Sequence, residues 1–245
     1  MWKNIIEILK KGRLYLIPSP IYNNHTASVL SKEVIDTIKR INIYIVENIR
    51  TTRRYIKLIS PDKDIDKINF YSYGKHDKID LQEDFLNHIL NGKDIGILSE
   101  SGLPCIADPG SKIVEFAHQY NIRVMPISGP SSIFLSLIAS GMNGQNFSFL
   151  GYLPIHKKER NIKIKNIETI SKSNNQTQIF IEAPYRNIQL YNAIISVCKQ
   201  NSKLCIACQL TSNNQLIVTK TINEWKLSNP PDIHKKETVF LLSGF

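Results

Sequence analysis

Four near-continuous apolar runs, separated by segments of helical spacing, constrain this chain more than any other feature. They are "RLYLI" (13–17), "INIYIV" (41–46), "DIGIL" (94–98) and "IRVMPI" (122–127). Their β-branched and aromatic content is that of strands. Between them Val34, Ile35 and Ile38, then Phe85, Ile89 and Leu90, fall three or four residues apart, as on one face of a helix. Ile113, Val114 and Ala117 do the same before the fourth run. Strands apolar on both faces and separated by helices call for a largely parallel sheet covered on both sides. A first α/β domain is expected over 1–126.

The second half changes character. Its strand-like runs are "FSFLGYL", "TQIFIEA", "KLCIACQL", "LIVTKTI" and the late "TVFLL", with helical segments at 159–170 and 187–197. The later strands follow one another with short connections, which suits a mixed sheet and a second α/β domain over 127–245. The fold class expected is α/β, two such domains in tandem, with "SKSNNQTQ" (171–178) a polar loop. The 245 residues suffice for two domains of ordinary size.

The net charge is +10, from 31 Lys+Arg against 21 Asp+Glu. That excess suits a polyanionic partner such as RNA. Lys, Asn and Ile are also abundant throughout, so compositional drift stands as the other reading. Of Cys105, Cys198, Cys205 and Cys208, only the last two have a CxxC spacing, and they sit in a strand-like run where their side chains face opposite ways. All four are expected to be reduced, packed thiols, with no metal. No apolar run is long enough to cross a membrane. Trp2, Ile5, Ile6 and Leu9 suit a short amphipathic helix rather than a secretory signal, so a cytoplasmic protein without a membrane partner is expected.

Ligands of open α/β sheets bind beyond the carboxyl ends of the strands. The loop after "DIGIL", "SESGLPCIADPG" (99–110), is far longer than a strand-to-helix turn needs. Gly102 and Gly110 open backbone conformations while Pro104 and Pro109 stiffen the path, which suits a ligand held by main-chain groups. Asp108 before Pro109 reads as the cap of the next helix. The chain has no P-loop, no GxGxxG after the first strand, no HxxxH pair and no GxSxG elbow.

At these loops the chain resembles the S-adenosylmethionine-dependent tetrapyrrole methylase superfamily, and within it the branch of ribosomal RNA small-subunit methyltransferase I and its near relatives. The resemblance rests on "LYLIPSPI", "IVENIRTTRRYI", "GILSESGLPCIADPGSKIV", "GPSSIFLSLIASGMNGQNFSFLGYLP", "TQIFIEAPYRN" and "CIACQLT", in that order. It implies two α/β domains with a cofactor cleft between them, a homodimer, and S-adenosylmethionine as cofactor. By matching position it assigns Pro20, Ser99, Gly102, Pro104, Ile106, Ala107, Ser131, Ser132, Tyr152, Leu153, Ala207 and Thr211 to the cofactor. The reaction implied is methylation of a cytidine ribose 2′-oxygen in small-subunit (16S) ribosomal RNA. Among the loop carboxylates Glu47, Glu100 and Glu182, Glu47 is the first choice of base. Tyr22, Arg50, Arg53 and Arg186 are the candidates for RNA contact. Three departures fall on the acceptor side: Tyr22 stands where relatives have glycine, Gln215 replaces a Glu, and the stretch around His76 matches poorly. Another substrate such as a tetrapyrrole, or a non-catalytic RNA-binding remnant, are the alternatives.

Overall fold

The computed structural model describes residues 11–22, 30–73, 79–108 and 110–245. The expected helix around Trp2–Leu9, together with His76 and Pro109, lies outside these. Two compact units divide the chain at 1–130 and 131–245.

Unit 1 carries a five-stranded sheet of order β3-β2-β4-β1-β5, parallel throughout. The strands are β1 (Leu14–Ile17), β2 (Ile43–Val46), β3 (Asn69–Ser72), β4 (Ile95–Leu98) and β5 (Val124–Pro126). Alternation along them sorts the core into two layers. Leu14, Ile43, Ile45, Ile95 and Ile97 meet Phe85, Ile89, Ile113 and Ala117 on one face. Tyr15, Ile17, Tyr44, Val46 and Leu98 meet Val34, Ile38 and Ile56 on the other. Each fully buried aliphatic side chain contributes roughly 1.5–3 kcal/mol by leaving water. Gly96 faces Tyr44 so closely that a Cβ there would lie 2.7 Å from Ile17 and 3.1 Å from the Tyr44 ring.

The helices supplying these residues start where short polar side chains can cap them. Ser31 accepts from the Val34 amide at the start of α1 (Lys32–Arg40), and Asn48 accepts from Arg50 and Thr51 at the start of α2 (Ile49–Ile59). Asp80 caps a π turn, Leu81–Phe85, that runs into α3 (Leu86–Leu90). The helix α4 (Ser111–Gln119) begins after Gly110 with no side-chain cap, so Asp108 is not the cap that its position before proline suggests. Ile127 packs among Ile17, Val46 and Leu98, which draws the end of unit 1 past Pro126 to Pro130.

Unit 2 opens with α5 (Ser132–Ser140), capped by Ser131, and builds a mixed sheet of order β6-β7-β10-β8-β9. Its strands are β6 (Phe147–Tyr152), β7 (Thr177–Ile181), β8 (Lys203–Cys208), β9 (Leu216–Thr221) and β10 (Thr238–Ser243). β6 and β7 are parallel; every other pair is antiparallel. The helices are α6 (Lys157–Asn174), α7 (Asn187–Val197) and α8 (Ile222–Leu227). Ile164, Ile167, Leu190 and Ile194 from α6 and α7 cover Phe180, Leu204, Ile206 and Phe240. Trp225 on α8 closes that core and donates its indole N–H to the Leu204 carbonyl at 2.9 Å. Ser171–Asn174 form the last turn of α6 and Thr177 starts β7, so most of the expected "SKSNNQTQ" loop is regular structure. The four cysteines are free thiols, three of them buried.

Candidate functional site

All unit 1 strands run the same way, so the loops after β1, β2 and β4 leave one edge of the sheet together. The loops after β1 and β4 are tied by a two-residue β-bridge. The Ser19 amide donates to the Gly102 carbonyl at 2.8 Å, and the Gly102 amide returns the bond at 3.1 Å. The Ser19 hydroxyl adds a bond to the Ser99 carbonyl at 2.8 Å. Ser99, Gly102 and Pro104 are buried within this lacing, and Pro20 is buried beside it, whereas Ile106 and Ala107 are exposed.

Gly102, Cys105 and Ala107 all have left-handed backbone, with φ of 71°, 68° and 62°. For Cys105 and Ala107 that costs roughly 1–2 kcal/mol each. Asp108 holds the strained turn. Its carboxylate accepts from the Cys105 amide at 2.9 Å and from the Gly110 amide at 2.8 Å. Strain kept in place by a dedicated carboxylate points to a loop whose shape matters to a ligand.

Because β2 and β4 are neighbours, the acids after them meet. The Glu100 amide approaches a Glu47 carboxylate oxygen at 3.4 Å, and the Thr51 hydroxyl donates to Glu100 at 3.1 Å. Burial raises the Glu47 pKa above the usual carboxylate range; the Glu100 amide opposes this, while the charges of Asp108 and Glu100 add to it. Asp108 is raised by burial as well, against the pull of its two amide partners. Burial, with Asp108 nearby, pushes the Cys105 thiol up to about 11. Behind this cluster Tyr73 is buried, with no hydrogen-bond partner for its hydroxyl among the described residues. Burial and then the charges of Asp108 and Glu47 keep that phenol protonated. Sequence reasoning missed Tyr73, which follows an edge strand with a weak apolar pattern.

The RNA candidates of unit 1 differ in their freedom. Arg50 is exposed, and Tyr22 is half-buried after the β1 loop. Arg53 is paired with Asp66 at 2.7 Å and lies over the Phe70 ring.

In unit 2, Ser131 spends its hydroxyl as the α5 cap, and Ser132 is half-buried behind it. Leu153 and Ala207 are core residues, 3% and 1% exposed. Thr211 has left-handed backbone, and its amide donates to Gln215 at 3.2 Å. An amide side chain thus suffices to close this turn. The ends of β6 and β7 enclose a separate open pocket of about 540 Å³, lined by Tyr152, Leu153, Pro154, Ile155, Ala183 and Arg186. Among the described residues no three His, Cys, Asp or Glu side chains are placed to hold a metal ion, and no helix is long and apolar enough to cross a membrane.

A parallel α/β unit with laced strand-end loops, followed by a mixed-sheet α/β unit with loops of its own, is an architecture whose ligands bind beyond the strand ends. The sequence then fixes the family. Residues 14–226 match the Tetrapyrrole (Corrin/Porphyrin) Methylases, and the chain belongs to that family of methyltransferases. It is 28% identical over 239 residues to the ribosomal RNA small subunit methyltransferase I of Buchnera aphidicola subsp. Schizaphis graminum, covering 96% of this chain and 80% of that protein. To the protein of the same name from Bacillus subtilis it is 30% identical over 213 residues, 87% of this chain and 68% of that one. The fold is shared with the uroporphyrin-III C-methyl transferase of Thermus thermophilus, solved in complex with S-adenyl homocysteine. There the TM-score is 0.51 at 14% identity, over 95% of this chain and 97% of that one.

Proposed function

We propose that this chain transfers a methyl group from S-adenosylmethionine to the ribose 2′-oxygen of a cytidine in small-subunit ribosomal RNA. Family membership supports methyl transfer, and the relatives named as ribosomal RNA methyltransferases support the substrate, as does the +10 charge. The observation that carries the reading is a half-buried carboxylate of raised pKa, Glu47, bonded to the backbone of the β4 loop.

That loop suits the cofactor. Its main chain is fixed by Ser19 and Asp108, Ile106 and Ala107 present small apolar surface, and the Tyr73 hydroxyl has a hydrogen bond left to give. Pro20, Ser99, Gly102 and Pro104 form the rest of the wall in this reading. When bound, S-adenosylmethionine supplies an electrophilic methyl on a sulfonium. Glu47 is the group that would take the proton of the ribose hydroxyl, and its burial makes it a stronger base than an exposed carboxylate. The fixed loop holds the reacting groups in line, which converts positioning into rate.

The test is incubation of the protein with labelled S-adenosylmethionine and small subunits lacking the modification, followed by mapping of the label. Label on a cytidine 2′-oxygen is expected. Cofactor binding without label in the RNA refutes the substrate, and absence of cofactor binding refutes the whole assignment.

A further inference from the structure

The pocket at the ends of β6 and β7 is built with more care than a surface dimple requires. Two buried charged residues brace its walls. Glu182 has a fully buried side chain, and one of its oxygens accepts from the Ala183 amide at 2.7 Å and from Arg186 Nε and Nη2 at 2.9 and 2.7 Å. Arg160, 3% exposed, donates to the Ile155 carbonyl at 3.2 Å. Ala183, Arg186 and Ile155 all line the pocket. The second Glu182 oxygen and the Arg160 Nε have no partner among the described residues. The Glu182–Arg186 ion pair fixes one lining residue, and Arg160 independently fixes the backbone of another, Ile155. Burying charge is costly, and here it fixes two parts of the lining: Glu182 holds Arg186 and the Ala183 amide, and Arg160 holds the Ile155 carbonyl.

The lining says which chemistry. Tyr152 and Ile155 are 60% and 58% exposed, and the neighbouring Tyr185 is 62% exposed. The Arg186 guanidinium stands 5.0 Å from the Tyr185 ring and donates to its hydroxyl at 2.9 Å. It has five N–H groups; two go to Glu182 and one to Tyr185, which leaves two for a ligand. Lys157 and Lys158, exposed at the start of α6 two and three residues after Ile155, extend the positive charge and form no ion pair among the described residues. Open aromatic rings beside a braced arginine and free lysines are the elements of single-strand recognition: bases stack and phosphates pair with the cations.

We infer that this pocket receives one nucleotide of single-stranded RNA, its base stacked on the exposed tyrosine rings and its phosphate held by Arg186. The inference rests on the RNA reading above and moves Tyr152 from the cofactor to the acceptor. It makes unit 2 a place where an unpaired nucleotide is gripped, so the substrate is a loop or unstacked strand rather than a duplex.

Fluorescence anisotropy with a short labelled single-stranded oligoribonucleotide, its duplex as control, tests this. The wild-type chain should prefer the single strand. Tyr152→Ala and Tyr185→Ala should each weaken binding by about 5- to 100-fold, the loss of one stacked base. The slope of affinity against log salt should stay the same, since no phosphate contact is removed. Tyr185→Phe, which keeps the ring, should bind like wild type. Both positions are exposed, so folding is not at risk, and calorimetry with S-adenosylmethionine should give wild-type affinity for Tyr185→Ala. Two alanine variants that bind RNA as tightly as wild type overturn the pocket while leaving the RNA reading intact. Loss of cofactor affinity in Tyr152→Ala with RNA affinity unchanged returns the pocket to the cofactor. A wild-type chain that binds cofactor but neither single-stranded RNA nor small subunits overturns both readings.

Discussion

Gly102→Ala isolates the conformation of the β4 loop from its volume. A Cβ at Gly102 would lie 3.4 Å from the Pro130 carbonyl oxygen and 4.0 Å from the Ile21 side chain, ordinary contact distances. The backbone is the obstacle, because φ is +71°. A left-handed alanine costs about 1–2 kcal/mol. The loop could relax only by giving up the two amide–carbonyl bonds to Ser19, worth about 1 kcal/mol each. Relaxation is thus no cheaper than strain, and the full 1–2 kcal/mol, roughly, should appear as lost stability. For a chain of 245 residues that corresponds to a melting temperature lower by about 2–8 °C. Gly102→Asn should lose less, because asparagine tolerates this region better. Gly102→Val, branched at Cβ, should lose more. The assay is thermal unfolding by circular dichroism, with calorimetry of S-adenosylmethionine binding alongside. Alanine and valine variants that melt with the wild type and bind cofactor equally well would refute the argument that this loop is held in a strained, ligand-shaped form.

Glu47→Gln should lower methyl transfer by about 10²–10⁴-fold if the carboxylate is the base, and abolish the rising acidic limb of the pH–rate profile. The same variant should be more stable than wild type at pH 7. A carboxyl whose folded pKa is raised above its ordinary 4.5 destabilises the fold once ionised, so the gain should vanish as pH falls below that value. Equal melting of the two proteins at pH 7 would count against the raised pKa. Tyr73→Phe removes a buried, unpartnered hydroxyl and should stabilise the cofactor-free protein by about 1 kcal/mol or more while weakening S-adenosylmethionine, read by melting and calorimetry. Asn187 is fully buried and donates to the Ile233 carbonyl, the Lys236 carbonyl and the Thr238 hydroxyl. Its replacement by Ala should cost about 3 kcal/mol, visible in a denaturant titration as a lower midpoint.

The parts of the fold legible in the sequence were those buried on both faces. β2 and β4 are buried along their whole length, so their apolar runs stand out in any window. β3 did not, because it is an edge strand paired only with β2 and its residues are half-exposed or exposed. α5 was equally hidden: in "SIFLSLIAS" Ser136 and Ser140 are buried while Phe134 and Ile138 are exposed, the reverse of the stripe by which a helix is read. Asp108 misled for a local reason. Asp-Pro at the end of a loop is a helix-start signal, but three left-handed residues bend the loop so that its carboxylate serves Cys105 and Gly110 instead. The acid cluster depended on strand order, which no local pattern encodes; only the placement of β4 beside β2 brings Glu100 to Glu47. Leu153 and Ala207 lie at the ends of β6 and β8 and are buried in the unit 2 core.

The two strand orders carry a consequence for how this chain is made. In unit 1, β4 lies between β1 and β2, which are synthesised well before it and do not touch each other. In unit 2, β10 lies between β7 and β8 and joins a β6–β7 pair to a β8–β9 hairpin that otherwise share no strand contact. Each sheet is closed by an insertion, and the inserting strand emerges from the ribosome late. Until residue 98, and again until residue 243, the growing chain holds half-sheets with open edges, the state in which wrong pairing is easiest. A stop a few residues before β10 would therefore leave the β6–β7 and β8–β9 pairs with no strand between them, although nearly all of the unit's sequence had been translated.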